Sequence, residues 1–341
     1  TASTLEDVVL WANAGGVWPR VLTMYFPGCD EIGHRFGPAS EDYAACVAHL
    51  DVQIGRVCDW LDEAGLLETT TLVLVSDHGM AQVAPERIID LVGLIEQWGR
   101  RITDEARHGG SWQGRAAFYD RFDTVLVDRV GRRAMLYFAG PDGWDAPADA
   151  DTVTAILTAP PAELQLWNRP GMLLVAWLTA DGAVALRGPG GAGRIEERPG
   201  LAGVGAEFRY VPETGDPLGY LADPYLAEFV ASGFHDDRAW LRATARQHIP
   251  DVVPHLGPLL RNPRCGQVLA FPDDSYGFAA DHRGSHGGIT RDDARATLYF
   301  AGPGVTPGGT IAHGRLVDVM PSLLVRLGEA APGPAVVAGV P

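Results

Sequence analysis

The chain contains no lysine; all 27 basic residues among its 341 positions are arginine. That absence removes the lysine-bearing phosphate loop, Schiff-base chemistry and a Ser-Lys dyad from the chemistry open to it. Cysteine is scarce too. Cys29, Cys46, Cys58 and Cys265 show no C-x-x-C spacing and are too few for a disulfide scaffold, so they read as core or surface thiols. Cys29 adjoins an acidic candidate ligand and is the one thiol placed for metal ligation. No run of about 20 uncharged apolar residues occurs, so no membrane span is expected. No basic region followed by an apolar stretch opens the chain. It begins at Thr1, and the expectation is that an upstream segment, including any signal peptide, has been lost; the compartment stays unassigned. Net positive charge is also lacking. A formal charge of -16 and a pI near 4.9 argue against a nucleic-acid duplex as partner, because such binders carry a basic stripe that displaces counterions. A small anionic substrate held by bound cations is compatible with that charge.

With 46% hydrophobic and 21% charged residues, the sequence reads as an ordinary soluble globular chain, long enough for one large domain with an insertion or for two. Val21–Phe26 is a short apolar run of strand formers, ended by Pro27 and Gly28. Ser40 then caps a segment with Tyr43, Val47, Leu50, Ile54, Val57 and Leu61 at steps of four and three. This predicts an amphipathic helix closed by Gly65. Thr71–Val75 is nearly continuous in apolar residues, the pattern of a strand buried on both faces of a parallel sheet. Ala296–Phe300 predicts a late strand, and Leu316–Leu327 a closing helix. The order is α/β: a mostly parallel central sheet flanked by helices, with functional groups beyond the strand ends.

The region from 81 to 263 differs in character and reads as an inserted α+β subdomain between a core part, 1–80, and a return to the core, 264–341. It opens with an expected helix over Pro85–Arg101. A hairpin follows, from Leu173–Leu178 through Ala180-Asp181-Gly182 to Ala183–Arg187. The glycine-rich patch Gly188–Gly193 lacks the context of a nucleotide loop and reads as a flexible loop. Arg133–Pro141 echoes Arg295–Pro303 with dissimilar flanks; both read as strands, not as a duplication.

Chemistry gathers in three polar signatures: Asp30-Glu31-Ile32-Gly33-His34, Ser76-Asp77-His78-Gly79-Met80 and Gly284-Ser285-His286-Gly287-Gly288. Carboxylates and imidazoles are the donors that hold zinc-like cations. Asp30 and His34 are four apart, so one turn of backbone aims both at one cation. Asp77 and His78 leave a strand end together, and glycines around His286 let the backbone approach a crowded centre. Each has a plainer reading. A lone D-x-x-x-H pair is common on helix surfaces, and a single histidine is unremarkable. Five such donors exceed what one tetrahedral zinc needs and suit two metals sharing a substrate oxyanion. His282 is a candidate outer or substrate contact, and Arg35 and Arg283 adjoin the ligand segments and could reach an anion.

Tyr25–Pro38 (YFPGCDEIGHRFGP), Leu50–Gly55, Val73–Met80 (VLVSDHGM), Gly284–Gly288 and Leu316–Leu323 (LVDVMPSL) resemble the type I phosphodiesterase and nucleotide pyrophosphatase family of the alkaline phosphatase superfamily. The matching segments are spread over nearly the whole length of the chain. The resemblance implies a hydrolase of phosphodiester or pyrophosphate bonds with a two-zinc centre. Asp30, His34 and His286 would hold one metal, Asp77 and His78 the other, with a small phosphate-ester or nucleotide-like substrate. The implied mechanism is in-line attack of a hydroxyl on phosphorus and a covalent phosphoryl ester. The family also carries, upstream of the D-x-x-G-H segment, a second metal-binding aspartate and a Thr or Ser nucleophile. The 29 residues before Asp30 match neither, so no nucleophile is assigned and the expectation is of an N-terminally truncated chain. Thr1 as a free N-terminal nucleophile lacks a base-like pattern nearby, and Thr4, Ser76 and Ser285 read as turn supports. The alternatives are a phosphomonoesterase, a sulfatase-like or phosphonate hydrolase of the same superfamily, or a non-catalytic metal-binding fragment. No C/S-x-P-x-R motif for a sulfatase is present.

Overall fold

The computed structural model describes residues 10–12, 14–15, 18–104, 115–127, 131–200, 205–279 and 282–330. The chain divides into two compact units, Thr1–Gly79 with Ala296–Pro341, and Met80–Arg295. The architecture is mixed α/β, with a central sheet flanked by helices, as the sequence pattern implies.

That sheet belongs to the second unit and has ten strands. Its path runs His235–Asp236, Ala206–Gly215, Gly191–Pro199, Val184–Gly188, Met172–Leu178, Val268–Pro272, Ala134–Gly140, Thr124–Val127 and Ile102–Asp104, with Gly143–Pro147 paired to Ala134–Gly140 off the path. The strand Val268–Pro272 shows how both faces are filled. Every residue of it is buried. Val268 and Ala270 join Leu136, Phe138, Val175 and Trp177 in one apolar cluster, where Leu94, Ile95, Val153 and Leu157 of the helices Leu91–Gln97 and Ala150–Thr158 pack. Leu269 and Phe271 alternate onto the other face, with Leu174 and Ala176. There the helices Pro224–Ala231, Asp237–Thr244 and Val253–Leu260 supply Leu226, Trp240 and Leu256. Period-two alternation thus feeds two cores from one strand, each fully buried side chain contributing about 1.5–3 kcal/mol.

Strand direction departs from the expectation of a mostly parallel sheet. Within the ten-stranded sheet, the parallel pair among the described residues is Ile102–Asp104 with Thr124–Val127; the other ladders are antiparallel, as hairpin connections permit. Residues expected to return to the core from 264 onward include Val268–Pro272, which lies at the centre of this sheet between Ala134–Gly140 and Met172–Leu178.

The expected hairpin is present, with Leu178 opposite Val184 and Gly182 at φ +83° in the turn. The patch Gly188–Gly193 is a tight hairpin rather than a flexible loop: Gly188 pairs with Gly191. At Gly191, φ is +119° and a Cβ would fall 1.8 Å from the Thr214 carbonyl oxygen, so only glycine fits that close approach. The helix expected over Pro85–Arg101 is shorter. Ala81–Ile88 is a strand of a three-stranded sheet with Ser275–Gly277 and Gly284–Ser285, and the helix starts only after Asp90, whose carboxylate accepts from Gly93 N.

In the first unit, Glu41–Glu63 is the predicted long helix, with Ser40 Oγ accepting from Tyr43 N at 3.1 Å and Gly65 at φ +68° just past its end. Leu72–Val75 pairs antiparallel with Leu298–Ala301. It is half-buried to exposed, not covered on both faces. Val21–Phe26, expected as a strand, forms no regular element and joins no strand ladder among the described residues. The closing segment is a short turn of 3-10 helix, Leu316–Asp318, running into the helix Val319–Arg326. No helix among the described residues is long and apolar enough to cross a membrane.

Candidate metal centre

Asp30 and His34 sit on the nine-residue helix Gly28–Phe36, not on a loop. One helical turn places them on the same face, with His34 Nε2 3.4 Å from Asp30 Oδ1. Asp30 lies in the first turn and His34 in the last, the ends that favour an anion and a cation respectively. Gly37, at φ +88°, stops the helix and returns its N–H to the Gly33 carbonyl.

Asp77 and His78 leave the strand Leu72–Val75 as expected. Ser76 fixes that exit: its Oγ accepts from Thr297 N at 2.7 Å and its N–H donates to the Thr297 carbonyl at 3.1 Å. Ser76 therefore acts as a strand-end support. His78 Nε2 lies 3.8 Å from Asp30 Oδ1 and 3.6 Å from Asp77 Oδ1. Its Nδ1 is 2.8 Å from the Gly79 carbonyl oxygen, which can only accept. The proton therefore sits on Nδ1, and in the neutral imidazole the Nε2 lone pair faces two carboxylates. The Nε2 lone pair and the two carboxylates are all electron-pair donors of the kind that divalent cations draw together. Two imidazoles and two carboxylates are a donor set that suits zinc and similar divalent ions, and the backbone bond to Nδ1 is the usual way such a ligand is oriented. The site is partly open: the Asp77 side chain is 74% exposed, that of His34 only 23%.

Cys29 on the helix Gly28–Phe36 and Cys46 on the helix Glu41–Glu63 have their sulfurs 3.6 Å apart. Burial, and then the neighbouring Cys46 thiol, push the Cys29 thiol up to about 11. Tyr43 is raised by burial and by Cys29, Cys46 and Asp30. Arg35 is exposed, its guanidinium 5.1 Å from the Phe36 ring centre.

His286 belongs to the second unit, half-buried, after the short strand Gly284–Ser285 that pairs with Ala81–Gln82. Its loop is held by a residue that sequence reading did not single out. Arg132 is fully buried, and its N–H donates to the His286 carbonyl at 2.8 Å. Its Nε donates to both Asp293 oxygens at 3.1 and 3.0 Å. One terminal nitrogen reaches the carbonyls of Asp273 and Tyr276 at 3.0 and 2.9 Å, and the other reaches Thr290 Oγ1 at 3.3 Å. Thr290 Oγ1 in turn donates to Asp293 at 2.9 Å. A Cβ at Gly288 would stand 2.4 Å from Asp293 Oδ2, so the glycine lets the carboxylate in. His282 is half-buried and Arg283 exposed. The Arg283 carbonyl accepts from Val83 N and Gln82 Nε2, both at 2.8 Å. Ser285 is buried in the short strand. Thr1 and Thr4 lie outside the described residues.

A mixed α/β chain with this donor set defines a candidate divalent-metal protein. The model of the family "Type I phosphodiesterase / nucleotide pyrophosphatase" matches residues 5–182, just over half of the sequence, and the chain belongs to that family. Bis(5'-adenosyl)-triphosphatase ENPP4 of Bos taurus is 30% identical over 93 residues, 27% of this chain and 20% of the relative. Ectonucleotide pyrophosphatase/phosphodiesterase family member 5 of Homo sapiens is 35% identical over 83 residues, 24% of this chain and 17% of the relative. The matched segments thus span about a fifth of those relatives' length. The solved structure of human ENPP5 aligns over 97% of this chain and 60% of its own, with a TM-score of 0.49 and 13% identity.

Proposed function

We propose that this chain hydrolyses phosphodiester or pyrophosphate bonds with two divalent cations, zinc by donor chemistry, held by Asp30, His34, Asp77, His78 and His286. The observation that carries this reading is the convergence of four of the five from two separate segments, with nitrogen–oxygen distances of 3.4 to 3.8 Å. His286 enters the set on the family motif, which assigns it with Asp30 and His34 to one cation and Asp77 with His78 to the other. Cations bound there would polarise phosphoryl oxygens and make a bound water or hydroxyl more acidic. The chain's own part is positioning. His78 presents Nε2 because Gly79 fixes its other nitrogen, and the helix Gly28–Phe36 sets Asp30 and His34 at one spacing.

A small phosphate ester or nucleotide-like anion fits this reading. With a net charge of -16, the protein repels such a substrate unless cations stand between them. The name of the ENPP4 relative, a bis(5'-adenosyl)-triphosphatase, favours a nucleotide pyrophosphate. The test is hydrolysis of a chromogenic phosphodiester and of a dinucleoside triphosphate by the 341-residue chain with zinc, against Asp77→Ala. A zinc-dependent rate that disappears in the variant supports the reading. An equal rate in both overturns it, and bound zinc without any rate leaves a metal-binding protein that does not turn over.

A further inference from the structure

Two thiols that the hydrolase reading leaves unused lie next to each other in the first unit. Cys29 is on the helix Gly28–Phe36 and Cys46 on the helix Glu41–Glu63. Their sulfurs are 3.6 Å apart, both residues are half-buried, and both are free thiols. The helices meet closely at this point: a Cβ at Gly28 would lie 3.7 Å from Cys46 Sγ, ordinary van der Waals contact. A disulfide needs sulfurs at about 2.05 Å, so the pair must close by roughly 1.5 Å, a distance that side-chain rotation can supply where two helices already touch. The Gly37–Ser40 turn holds the two helices in place, with Ser40 Oγ donating to the Gly37 carbonyl at 2.8 Å.

We propose that Cys29 and Cys46 form a disulfide by exchange with a small-molecule disulfide such as oxidised glutathione, a covalent clamp between the ligand-bearing helix and the long helix behind it. One thiol, as thiolate, attacks the glutathione disulfide and releases a reduced glutathione. The second thiol then displaces the remaining glutathione from the mixed disulfide. Two protons and two electrons leave the protein, and one glutathione disulfide becomes two reduced glutathiones. Because Asp30 follows Cys29 directly, the clamp restrains the segment that carries Asp30 and His34. The pair closes whether or not that segment takes up metal.

The experiment is thiol counting and intact mass on the full chain after equilibration with oxidised glutathione at mildly alkaline pH. The four free thiols should fall to two, with a mass loss of two hydrogens and a Cys29–Cys46 cross-linked peptide, and dithiothreitol should restore all four. In Cys29→Ser and Cys46→Ser the partner thiol should instead stay as a stable glutathione adduct. Four thiols persisting in the parent chain, a lasting adduct without a cross-link, or a cross-link through Cys58 or Cys265 would overturn the proposal. The parent chain decides the matter even where a variant does not fold.

Discussion

The residues with hard-donor chemistry were legible from sequence because their neighbours are so polar and so glycine-rich for positions at the ends of apolar runs. Asp30, His34, Asp77 and His78 are such cases, and the structure brings these four together. Arg132 and Asp293 were not legible. Both residue types usually face water, and their pairing bridges 161 positions of sequence, so only the fold reveals that they are buried against each other. Their role is to fix the loop of His286 and the turn at Asp273–Tyr276. Removing one side of a buried charge pair leaves the other uncompensated, at a cost of about 3–5 kcal/mol. Arg132→Met should therefore lower the unfolding free energy of the second unit by about that amount in a urea titration; a loss well under about 1 kcal/mol, the worth of an exposed pair, would speak against this role.

At the scale of elements, the helix Glu41–Glu63 and the hairpin Met172–Gly188 follow from spacing, cap and turn residues. The helix expected over Pro85–Arg101 overlaps the strand Ala81–Ile88 at Pro85–Ile88, and that strand is not legible locally because its partners, Ser275–Gly277 and Gly284–Ser285, lie some two hundred positions away. An apolar run reports burial, not direction: Val268–Pro272 is buried on both faces inside an antiparallel sheet. The hairpin turn also carries a pH dependence. Hydrogen bonds from the Thr179 hydroxyl, then from Arg194, lower the Asp181 carboxyl from its ordinary 3.8 to about 2. A depressed carboxyl stabilises the fold above its unfolded value and loses that contribution as pH falls through the folded value. Asp181→Asn should then be less stable than the parent near neutral pH, with the gap closing between pH 3.8 and about 2. Amide exchange at Gly182 and Ala183 across that range checks it; a gap that does not change with pH would contradict it.

For the whole molecule, the two units differ in what they bury. The second has two apolar clusters, one on each face of its central sheet. In the first, among the described residues, the buried apolar side chains are Ala12 and Leu61, while Leu74, Val75, Tyr299, Val317 and Met320 are exposed. Unfolding should therefore proceed in two steps, the first unit opening at lower urea and limited proteolysis leaving Met80–Arg295 as the resistant part; one transition shared by probes in both units would contradict this. The same sparse core makes bound metal matter more to the first unit, since binding to the folded form adds directly to its stability. Zinc uptake at equilibrium, measured by mass spectrometry of metal content on the chain and on Asp77→Ala and His78→Ala, is the most direct test. Bound zinc is expected in the parent and a clear loss in both variants, with a lower unfolding midpoint for each. Unchanged zinc content in the two variants would contradict this.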